Sequence, residues 1–469
     1  MKGQFPVDRF QNIRTPFYYY DMELLRATLD AIKAEMSKHD NFMMHYAVKA
    51  NANQSVLRQI KRAGFGVDCV SGGEIEASLR AGFPGSKIVY AGVGKSDWEI
   101  NLGLDNDIFC FNVESLPELE VINELAAAKG KVARVAFRLN PNVGAHTHAN
   151  ITTGLAENKF GIAMRDMETV IAEAAKLQNV HFVGLHFHIG SQILDMGDFQ
   201  PLCNRINELA AAKGKVARVA FRLNPNVGAH THANITTGLA ENKFGIAMRD
   251  METVIAEAAK LQNVHFVGLH FHIGSQILDM GDFQALCNRI NELQDQLERH
   301  HISVEHINVG GGLGVDYQHP NRVPIPDFHA YFDTYARRLK LRPGQTLHFE
   351  LGRAVVAQCG SLITRTLYIK EGATKKFCIV DAGFTDLIRP ALYQAYHKIE
   401  NITSEEPMEA YDVVGPICES TDVFGKQRDL NACHRGDLLA IRTAGAYGEI
   451  MASCYNCRPL PTAIISDDL

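Results

Sequence analysis

An almost identical internal repeat is the strongest constraint that this sequence places on its fold. Residues 122–205 recur 84 positions later as residues 206–289, and the copies differ only by Pro201 in the first against Ala285 in the second. Both copies begin with Ile-Asn-Glu-Leu, and the same four residues follow the second copy, which indicates a tandem duplication at a short stretch of homology. Solenoid repeats are shorter and more numerous, so the pattern does not predict a solenoid. Without one copy the chain would have 385 residues instead of 469.

Through residues 22–353, apolar runs that predict strands alternate with helical patterns, which is typical of βαβ units and a parallel sheet. With one copy of the repeat left out, eight strands are predicted, the number that closes an α/β barrel of the TIM type, (β/α)8. These strands are 42–49, 66–70, 87–90, 108–113, 132–139, 180–188, 304–309 and 346–351.

The second copy would add two more strands, at 216–223 and 264–272. The number of strands in a barrel is linked to its tilt and closure. We therefore expect one 84-residue stretch to be excluded from the barrel. The pattern leaves open whether that stretch is the first copy, the second copy, or a mixture of the two.

From residue 354 onward, strands follow one another with only short helical pieces between them. This change predicts a second, β-rich domain of residues 354–469, which residues 1–21 would join.

Charge and composition exclude several classes of partner. Lys plus Arg number 47 and Asp plus Glu 53, so the net charge is −6, and no basic stripe predicts nucleic-acid binding. No segment approaches the roughly 18 apolar residues of a membrane span, and no leader sequence is apparent, so we expect a cytoplasmic protein. The ten cysteines are scattered, and the close pair Cys454 and Cys457 lacks the further ligands of a zinc site, so no metal is expected.

Lys49 ends the first predicted barrel strand. Active sites of such barrels lie at the C-terminal ends of the strands, so this lysine would face the barrel mouth. A lysine amine in that setting can become a nucleophile toward a carbonyl group. On position alone, a surface lysine at a strand end is the commoner case.

A glycine run follows the seventh predicted strand, and a Glu/Arg pair follows the eighth. Barrels of this kind frequently bind phosphate in these two loops, and glycines let backbone N–H groups approach the phosphate closely. Together the two loops predict a phosphate site. The residues concerned are Gly310, Gly311, Gly312, Glu350, Gly352 and Arg353.

The sixth strand ends in His188 and Ser191, and the repeat supplies them again as His272 and Ser275. A histidine at a barrel mouth can stack on a flat ring, and a serine can donate a hydrogen bond to a phosphate. A core histidine with a satisfied hydrogen bond is an equally good interpretation of either copy.

In the β-rich part, Arg389 and Tyr393 could bind a carboxylate, and Cys418 stands next to Glu419. Taken singly, each of these residues is more often structural or solvent-exposed than functional. Only their combination with the barrel residues favours a site.

These segments together resemble the fold-type III, alanine-racemase-like decarboxylases that use pyridoxal phosphate, and most closely the diaminopimelate decarboxylases. The resemblance extends over nearly the whole chain. It rests on Tyr46–Asn51, Ser71–Glu74, Arg138–Pro141, Lys159–Gly161, His188–Ser191, Gly310–Gly314, Glu350–Arg353, Asp381–Gly383, Arg389–Tyr393, Cys418–Asp422 and Gly445–Tyr447.

The resemblance implies pyridoxal 5′-phosphate as the cofactor, held covalently by Lys49. His272 or His188 would stack on its ring, and Glu350 would bond its pyridine nitrogen. The phosphate and its surroundings would be contacted by Ser275 or Ser191, Gly310, Gly311, Gly312, Gly352, Arg353 and Tyr447.

The resemblance also implies a homodimer with shared active sites, because Cys418 would enter from the partner subunit as an acid. The far end of the amino-acid substrate would be bound by Arg353, Arg389, Tyr393, Glu419 and Tyr447. The implied reaction is decarboxylation of meso-2,6-diaminopimelate to L-lysine and CO₂.

Other functions compete with this one. A related decarboxylase could act on ornithine, arginine or carboxynorspermidine, although the paired Arg353 and Arg389 favour a substrate with a second carboxylate. A non-enzymatic pyridoxal-phosphate carrier would lack the β-rich domain. An inactive product of the duplication is the third alternative. Between the copies, we favour His272 and Ser275, whose following helix leads into the seventh strand.

Overall fold

A computed structural model describes most of the chain outside the repeat and parts of the repeat itself. The described residues are 5–90, 94–113, 115–140, 162–163, 177–187, 207, 211, 216–224, 246–247, 260–299, 301 and 303–469. They form a parallel sheet surrounded by helices and a second, mixed sheet. This is the class of fold that the sequence predicts.

In the described part, strands alternate with helices from β1 to β6 and from β11 to β13, and after β13 they follow one another more directly. The strands are β1 Phe17–Tyr20, β2 Phe42–Ala47, β3 Gly66–Cys69, β4 Ile88–Tyr90, β5 Cys110–Val113, β6 Ala133–Asn140, β7 Ile162–Ala163, β8 Val180–Phe187, β9 Ala217–Asn224, β10 Ile246–Ala247, β11 Val264–Phe271, β12 His306–Asn308, β13 Thr346–Leu351, β14 Gly360–Glu371, β15 Lys376–Val380, β16 Ile399–Asn401, β17 Met408–Val414, β18 Val423–Asn431, β19 Leu438–Ile441 and β20 Thr462–Ile465.

Side-chain caps explain where several helices begin. Asp21, Ser71 and Ser115 each accept a hydrogen bond from the backbone N–H three residues later, which satisfies a donor that the first helical turn leaves unpaired. The described helices are α1 Val7–Phe10, α2 Met22–Met36, α3 Gln54–Arg62, α4 Gly72–Arg80, α5 Asp97–Asp105, α6 Leu116–Ala128, α7 Met280–Arg299, α8 Phe328–Arg338, α9 Arg353–Val356 and α10 Arg389–Tyr393. In this part of the chain no helix has the length and apolar character to cross a membrane.

The parallel sheet is one long ladder. From β2 it runs through β3, β4, β5 and β6 to β8 in one direction, and through β13, β12 and β11 to β9 in the other. The short strands β7 and β10 pair with the ends of β6 and β9. The two ends of the ladder, β8 and β9, lie next to each other, although no described hydrogen-bonded register joins them. The sheet therefore curves around a central axis as a barrel does.

Strands from both copies of the repeat take part in this sheet, so our expectation that one copy would be excluded is wrong. Ala133 pairs with Val180 in the first copy as Ala217 pairs with Val264 in the second, and both ladders shift register at the equivalent place. Each copy carries a complete pair of strands, so identical local sequence forms the same parallel ladder twice. Apart from the two-residue strands β7 and β10, the described part of the ring has ten strands instead of eight.

The inner face of the barrel is polar where β2 and β13 lie side by side. Phe349 on β13 packs against aromatic rings of α8, which shows that the buried residues of this strand point outward to the helices. Successive strand residues point to opposite faces, so Thr346, His348 and Glu350 point toward the barrel axis. His348 Nδ1 lies 3.2 Å from Nε2 of His45 on the neighbouring strand.

The second sheet has the strand order β16-β19-β14-β15-β17-β18. β1 pairs antiparallel with β14 and parallel with β20, so the N-terminal strand lies in the same sheet as the C-terminal residues. The chain thus enters the barrel from this sheet through α2 and returns to it after β13. The two parts therefore meet where β2 and β13 end.

Deleting residues 122–205 tests the cost of the extra strands. We expect the 385-residue chain to unfold at a higher temperature. The inward-facing side chains fill the interior of a barrel of eight strands more completely than that of a barrel of ten. In a chain of this size, roughly 2 °C in Tm corresponds to about 1 kcal/mol, and we expect at least that gain.

The matched control is deletion of residues 206–289, which leaves the same sequence except that Pro201 remains in place of Ala285. Both deletions should raise Tm in calorimetry. Unchanged or lower Tm values for both would show that the ten-stranded ring carries no penalty.

Candidate active site

A cavity of about 1090 Å³ opens at the C-terminal ends of the barrel strands, against the second domain. Its lining includes six residues that the sequence singles out, from both domains. They are Lys49, Ser275, Arg353, Arg389, Tyr393 and Tyr447. The fold thus brings together in one space residues that are nearly 400 positions apart.

Lys49 lies in a 3₁₀ turn, Val48–Ala50, directly after β2. Its two neighbours in the turn are buried, whereas the lysine side chain is exposed toward the cavity. The turn is fixed to the second domain, because Tyr447 N–H donates to the Ala50 carbonyl oxygen at 2.8 Å. The amine therefore extends from a rigid base.

An acidic side chain lies close to this lysine. Burial and the charge of Glu350 raise the pKa of Asp68 to about 6, and Lys49 opposes this rise. The interior below Lys49 therefore contains a carboxyl group that changes its charge near neutral pH.

The glycine run forms a tight loop between the ends of β11 and β13. A Cβ atom on Gly311 would lie 2.3 Å from the carbonyl oxygen of Glu350. Gly310 and Gly312 have φ angles of +69° and +107°, which favour glycine. The Gly312 carbonyl also accepts a hydrogen bond from Ile277 N–H at 2.9 Å. Only residues without side chains let this backbone reach the barrel mouth.

Glu350 on β13 is held in its charged form. Burial alone would raise the pKa of its carboxyl, but hydrogen bonding and charge from His270 and a 2.8 Å hydrogen bond from Asn308 Nδ2 together hold that pKa well below its usual range. The carboxylate is therefore an anion throughout the physiological pH range.

His272 and Ser275, from the second copy, lie beside the glycine loop and Arg353. Gly311 N–H donates to Nδ1 of His272 at 3.2 Å, so this nitrogen is unprotonated and the ring proton belongs on Nε2. Ser275 Oγ accepts from Nη2 of Arg353 at 3.1 Å. The equivalent residues of the first copy, His188 and Ser191, lie outside the described residues.

Two buried guanidinium groups define the far side of the cavity. Arg353 and Arg389 are only 8% and 7% exposed, and among the described residues neither forms a salt bridge with a carboxylate. Both instead donate to the hydroxyl oxygen of Tyr317, at 2.7 Å and 3.0 Å. Two buried positive charges with no carboxylate partner in the described part of the chain make this part of the cavity a site for an anion.

Tyr447 and Tyr393 complete the cavity wall. The Tyr447 ring lies 5.1 Å from Cζ of Arg353, in the arrangement of a cation–π contact. Its hydroxyl lies close to Gly352, where a Cβ atom would be 3.6 Å away. Tyr393 ends helix α10, which begins with Arg389, so one short helix carries both residues to the cavity.

Cys418 and Glu419 do not reach this cavity in the same chain. Both side chains are exposed, and Glu419 accepts a hydrogen bond from the Tyr455 hydroxyl at 2.9 Å. Within the described residues, neither lines the space that contains Lys49. The exposed side chains of Cys418 and Glu419 could therefore contribute only to a site other than the cavity of their own chain.

Sequence reasoning missed Tyr317 and His397. Tyr317 stands three residues after Gly314, so its closeness to the glycine loop was a usable signal. His397 accepts from Nη1 of Arg389 at 3.0 Å and is fully buried, but nothing around it in the sequence indicates a site.

The fold and this cavity define a pyridoxal-phosphate enzyme, and comparison with known proteins agrees. The family model of the pyridoxal-dependent decarboxylase, pyridoxal binding domain, matches residues 23–215 and again residues 203–357. The two matches overlap at the junction between the copies of the repeat.

Diaminopimelate decarboxylases are similar to this chain over its full length. The enzyme of Bacteroides thetaiotaomicron is 59% identical over 469 residues and covers 100% of both chains. That of Neisseria meningitidis serogroup B is 35% identical, covering 97% of this chain and 88% of the relative. The crystal structure of diaminopimelate decarboxylase from Helicobacter pylori complexed with L-lysine has a TM-score of 0.62 and 31% identity, covering 99% of this chain and 94% of that one. The chain belongs to the diaminopimelate decarboxylase family of pyridoxal-phosphate-dependent carboxy-lyases.

The residues around the cavity fit this cofactor. Ser275 and Arg353 are donors of the kind that hold a phosphate, and the glycine loop lies beside them. Glu350 is a permanent anion suited to a protonated pyridine nitrogen, and Lys49 reaches the same cavity. No steric or charge conflict appears among these groups.

The buried His397 should make stability depend on pH. Burial, followed by the charge of Arg389, lowers the pKa of His397 to about 3, whereas an unfolded histidine titrates near about 6.5. Between these values the unfolded chain binds the extra proton, so the free energy of unfolding falls as pH falls, by up to about 1.4 kcal/mol per pH unit. Above about pH 6.5 this contribution is complete.

We therefore expect denaturant unfolding to show a gap in stability between wild type and His397→Gln at pH 8 that narrows toward pH 4. The control is His434→Gln, at an exposed histidine of the same domain. A gap of constant size at all pH values would contradict the neutral state of His397.

Proposed function

We propose that this chain carries out the decarboxylation of meso-2,6-diaminopimelate to L-lysine and CO₂, the last step of lysine biosynthesis. The observation that carries this proposal is the pair of buried guanidinium groups, Arg353 and Arg389, in the same cavity as Lys49. Their position calls for a substrate with a second carboxylate at a distance from the one that is lost.

The reaction divides between the cofactor and the protein. Pyridoxal phosphate, when bound, supplies the electron sink for the electron pair left by the departing carboxylate. Lys49 would hold the cofactor. The Glu350 carboxylate would keep a proton on the pyridine nitrogen, which would strengthen that sink. His272 would lie against the ring, and Ser275 and the glycine loop would hold the phosphate.

Substrate selection belongs to the far side of the cavity. Arg353 and Arg389 bind the distal carboxylate, because a guanidinium group is planar and permanently charged. Tyr393 and Tyr447 border the same space. Glu419 of a second copy of the chain binds the distal ammonium group, so that a diamino diacid fits better than a simple diamine.

The proton that replaces CO₂ would come from Cys418 of the partner subunit, or from the amine of Lys49. The exposure of Cys418 and Glu419 and their absence from the cavity of their own chain support a homodimer with shared active sites. Scattered cysteines support a cytoplasmic location.

Two other outcomes remain open to test. Ornithine and arginine lack a distal carboxylate and would leave the two guanidinium groups without a counter-charge, which argues against them; carboxynorspermidine is the related substrate to compare. A chain inactivated by its duplication would bind no cofactor or release no CO₂.

Reduction with borohydride tests the role of Lys49. We expect reduction to fix one cofactor per chain irreversibly and to place the label on the peptide that contains Lys49. Lys49→Ala should lose the label and reduce the rate of CO₂ release by about 10²–10⁴-fold or more, the range for loss of an acid–base group.

The control is Lys38→Ala, at an exposed lysine in the loop before β2, at the other end of the strand that Lys49 follows. The activity assay offers meso-diaminopimelate, ornithine, arginine and carboxynorspermidine separately. Release of CO₂ only from a substrate other than meso-diaminopimelate would overturn the proposed specificity, and no release from any would indicate an inactive chain.

If Cys418 supplies the proton, mixing two inactive variants tests the shared active site. Lys49→Ala and Cys418→Ala remove groups that, in our proposal, belong to different chains of one site. After unfolding and refolding together, half of the dimers are mixed and each mixed dimer has one complete site, so roughly a quarter of the wild-type activity should return. A mixture no more active than the separate variants would contradict shared sites.

A further inference from the structure

Tyr317 occupies an unusual position between the two buried guanidinium groups. Its hydroxyl oxygen accepts from Nη1 of Arg353 at 2.7 Å and from Nη1 of Arg389 at 3.0 Å. Its ring also lies 5.2 Å from Cζ of Arg389. The tyrosine follows the glycine loop, so the loop that approaches the cofactor end also carries this residue to the substrate end.

The far side of Arg389 is fixed by a neutral histidine. His397 Nδ1 lies 2.8 Å from the carbonyl oxygen of Arg442, which can only accept, so Nδ1 carries the proton. Nε2 is then free to accept from Arg389 Nη1 at 3.0 Å. The Tyr317 ring meets the His397 ring edge to face, with centroids 5.1 Å apart. Arg389 is therefore held from two directions.

The Tyr317 hydroxyl can form one hydrogen bond more than the two that it accepts from the arginines. A neutral phenol has two acceptor lone pairs and one donor proton. The two arginines use both lone pairs. Among the described residues, no acceptor receives the Tyr317 hydroxyl proton. The remaining hydrogen bond is available to a group that enters the cavity.

We propose that Tyr317 is a specificity-determining residue of this site, which sets the spacing of Arg353 and Arg389 and donates a third hydrogen bond to the distal carboxylate of the substrate. This inference rests on the proposed function. The two guanidinium groups supply the charge, and the hydroxyl supplies a neutral donor between them. A ligand without the distal carboxylate gains nothing from this arrangement.

Electrostatics give the proposal a pH dependence. Burial raises the pKa of Tyr317, but the charges of Arg353 and Arg389 and their hydrogen bonds outweigh burial and lower that pKa below its ordinary value. Loss of the proton removes the donor and places a negative charge between the guanidinium groups. Affinity for a carboxylate ligand should therefore fall as the pH rises through the pKa of Tyr317.

Within the described residues, several charged and titratable groups surround the Tyr317 hydroxyl. Arg353 approaches from the barrel end, Arg389 from helix α10, and Tyr447 and Tyr393 contribute their electrostatic effects to Arg353. His397 lies behind Arg389 and is neutral over the range of interest, because its pKa is about 3. A loss of affinity for a carboxylate ligand at alkaline pH is therefore assigned to Tyr317 if it is absent from Tyr317→Phe, which keeps the ring.

The test compares binding of two probes to the holoenzyme by calorimetry. L-Lysine retains the distal carboxylate, and 1,5-diaminopentane has none. Tyr317→Phe should weaken L-lysine binding by about 10–100-fold, the effect of losing a hydrogen bond to a charged group, and leave 1,5-diaminopentane unchanged. In wild type, L-lysine binding should weaken at alkaline pH, and Tyr317→Phe should lose that dependence.

The matched control is Tyr368→Phe, at an exposed tyrosine of β14 that is 55% accessible. Equal weakening of both probes in Tyr317→Phe, or unchanged binding of L-lysine, would overturn the proposal. If the variant does not fold, the affinities of wild type for the two probes are compared across pH instead. Equal pH dependences of L-lysine and 1,5-diaminopentane binding would also overturn the proposal. Failure of the proposed function would show separately, as absence of CO₂ release by wild type from meso-diaminopimelate.

Discussion

The parallel ladder that joins β11, β12, β13 and β2 is the constraint on which the rest of this structure depends. It pairs Glu350 with His45 and Leu351 with Tyr46, so these strands end at the same edge of the barrel. The loops after β11, β12 and β13 and the turn after β2 therefore meet in one place. Lys49, the glycine loop and Arg353 are neighbours because their strands are hydrogen-bonded neighbours.

The duplication leaves this part of the ladder intact. The additional strands enter the ring between β6 and β11, on the far side from β2 and β13. A parallel ladder can be extended by another βα unit without a change in the registers of its other strands, since each register depends only on adjacent strands. The additional strands instead affect the barrel interior. The ring is wider, and its inward-facing side chains must fill a larger space.

Much of the site could be predicted from the sequence because strand ends are visible in it. Lys49, Gly310 and Arg353 each follow an apolar run, and the C-terminal ends of parallel strands share an edge. Tyr317 could not be assigned in this way, since the packing of one domain against the other brings it to Arg389. His397 could not be assigned either, since it meets Arg389 only through the folding of the second domain itself. The sequence pattern also predicted the extra strands, but it did not predict that they would join the barrel sheet, because closure of a barrel depends on all of its strands.

The most direct test of this account exploits the repeat itself. The same substitution is made in each copy, as Ser275→Ala with His272→Ala and as Ser191→Ala with His188→Ala, and bound pyridoxal phosphate is measured by absorbance after equilibrium dialysis. The ladder places β11 of the second copy next to β12, so only the second-copy variant should lose affinity for the cofactor. Loss of affinity in the first-copy variant, with the second-copy variant unaffected, would contradict the strand order on which the site is built.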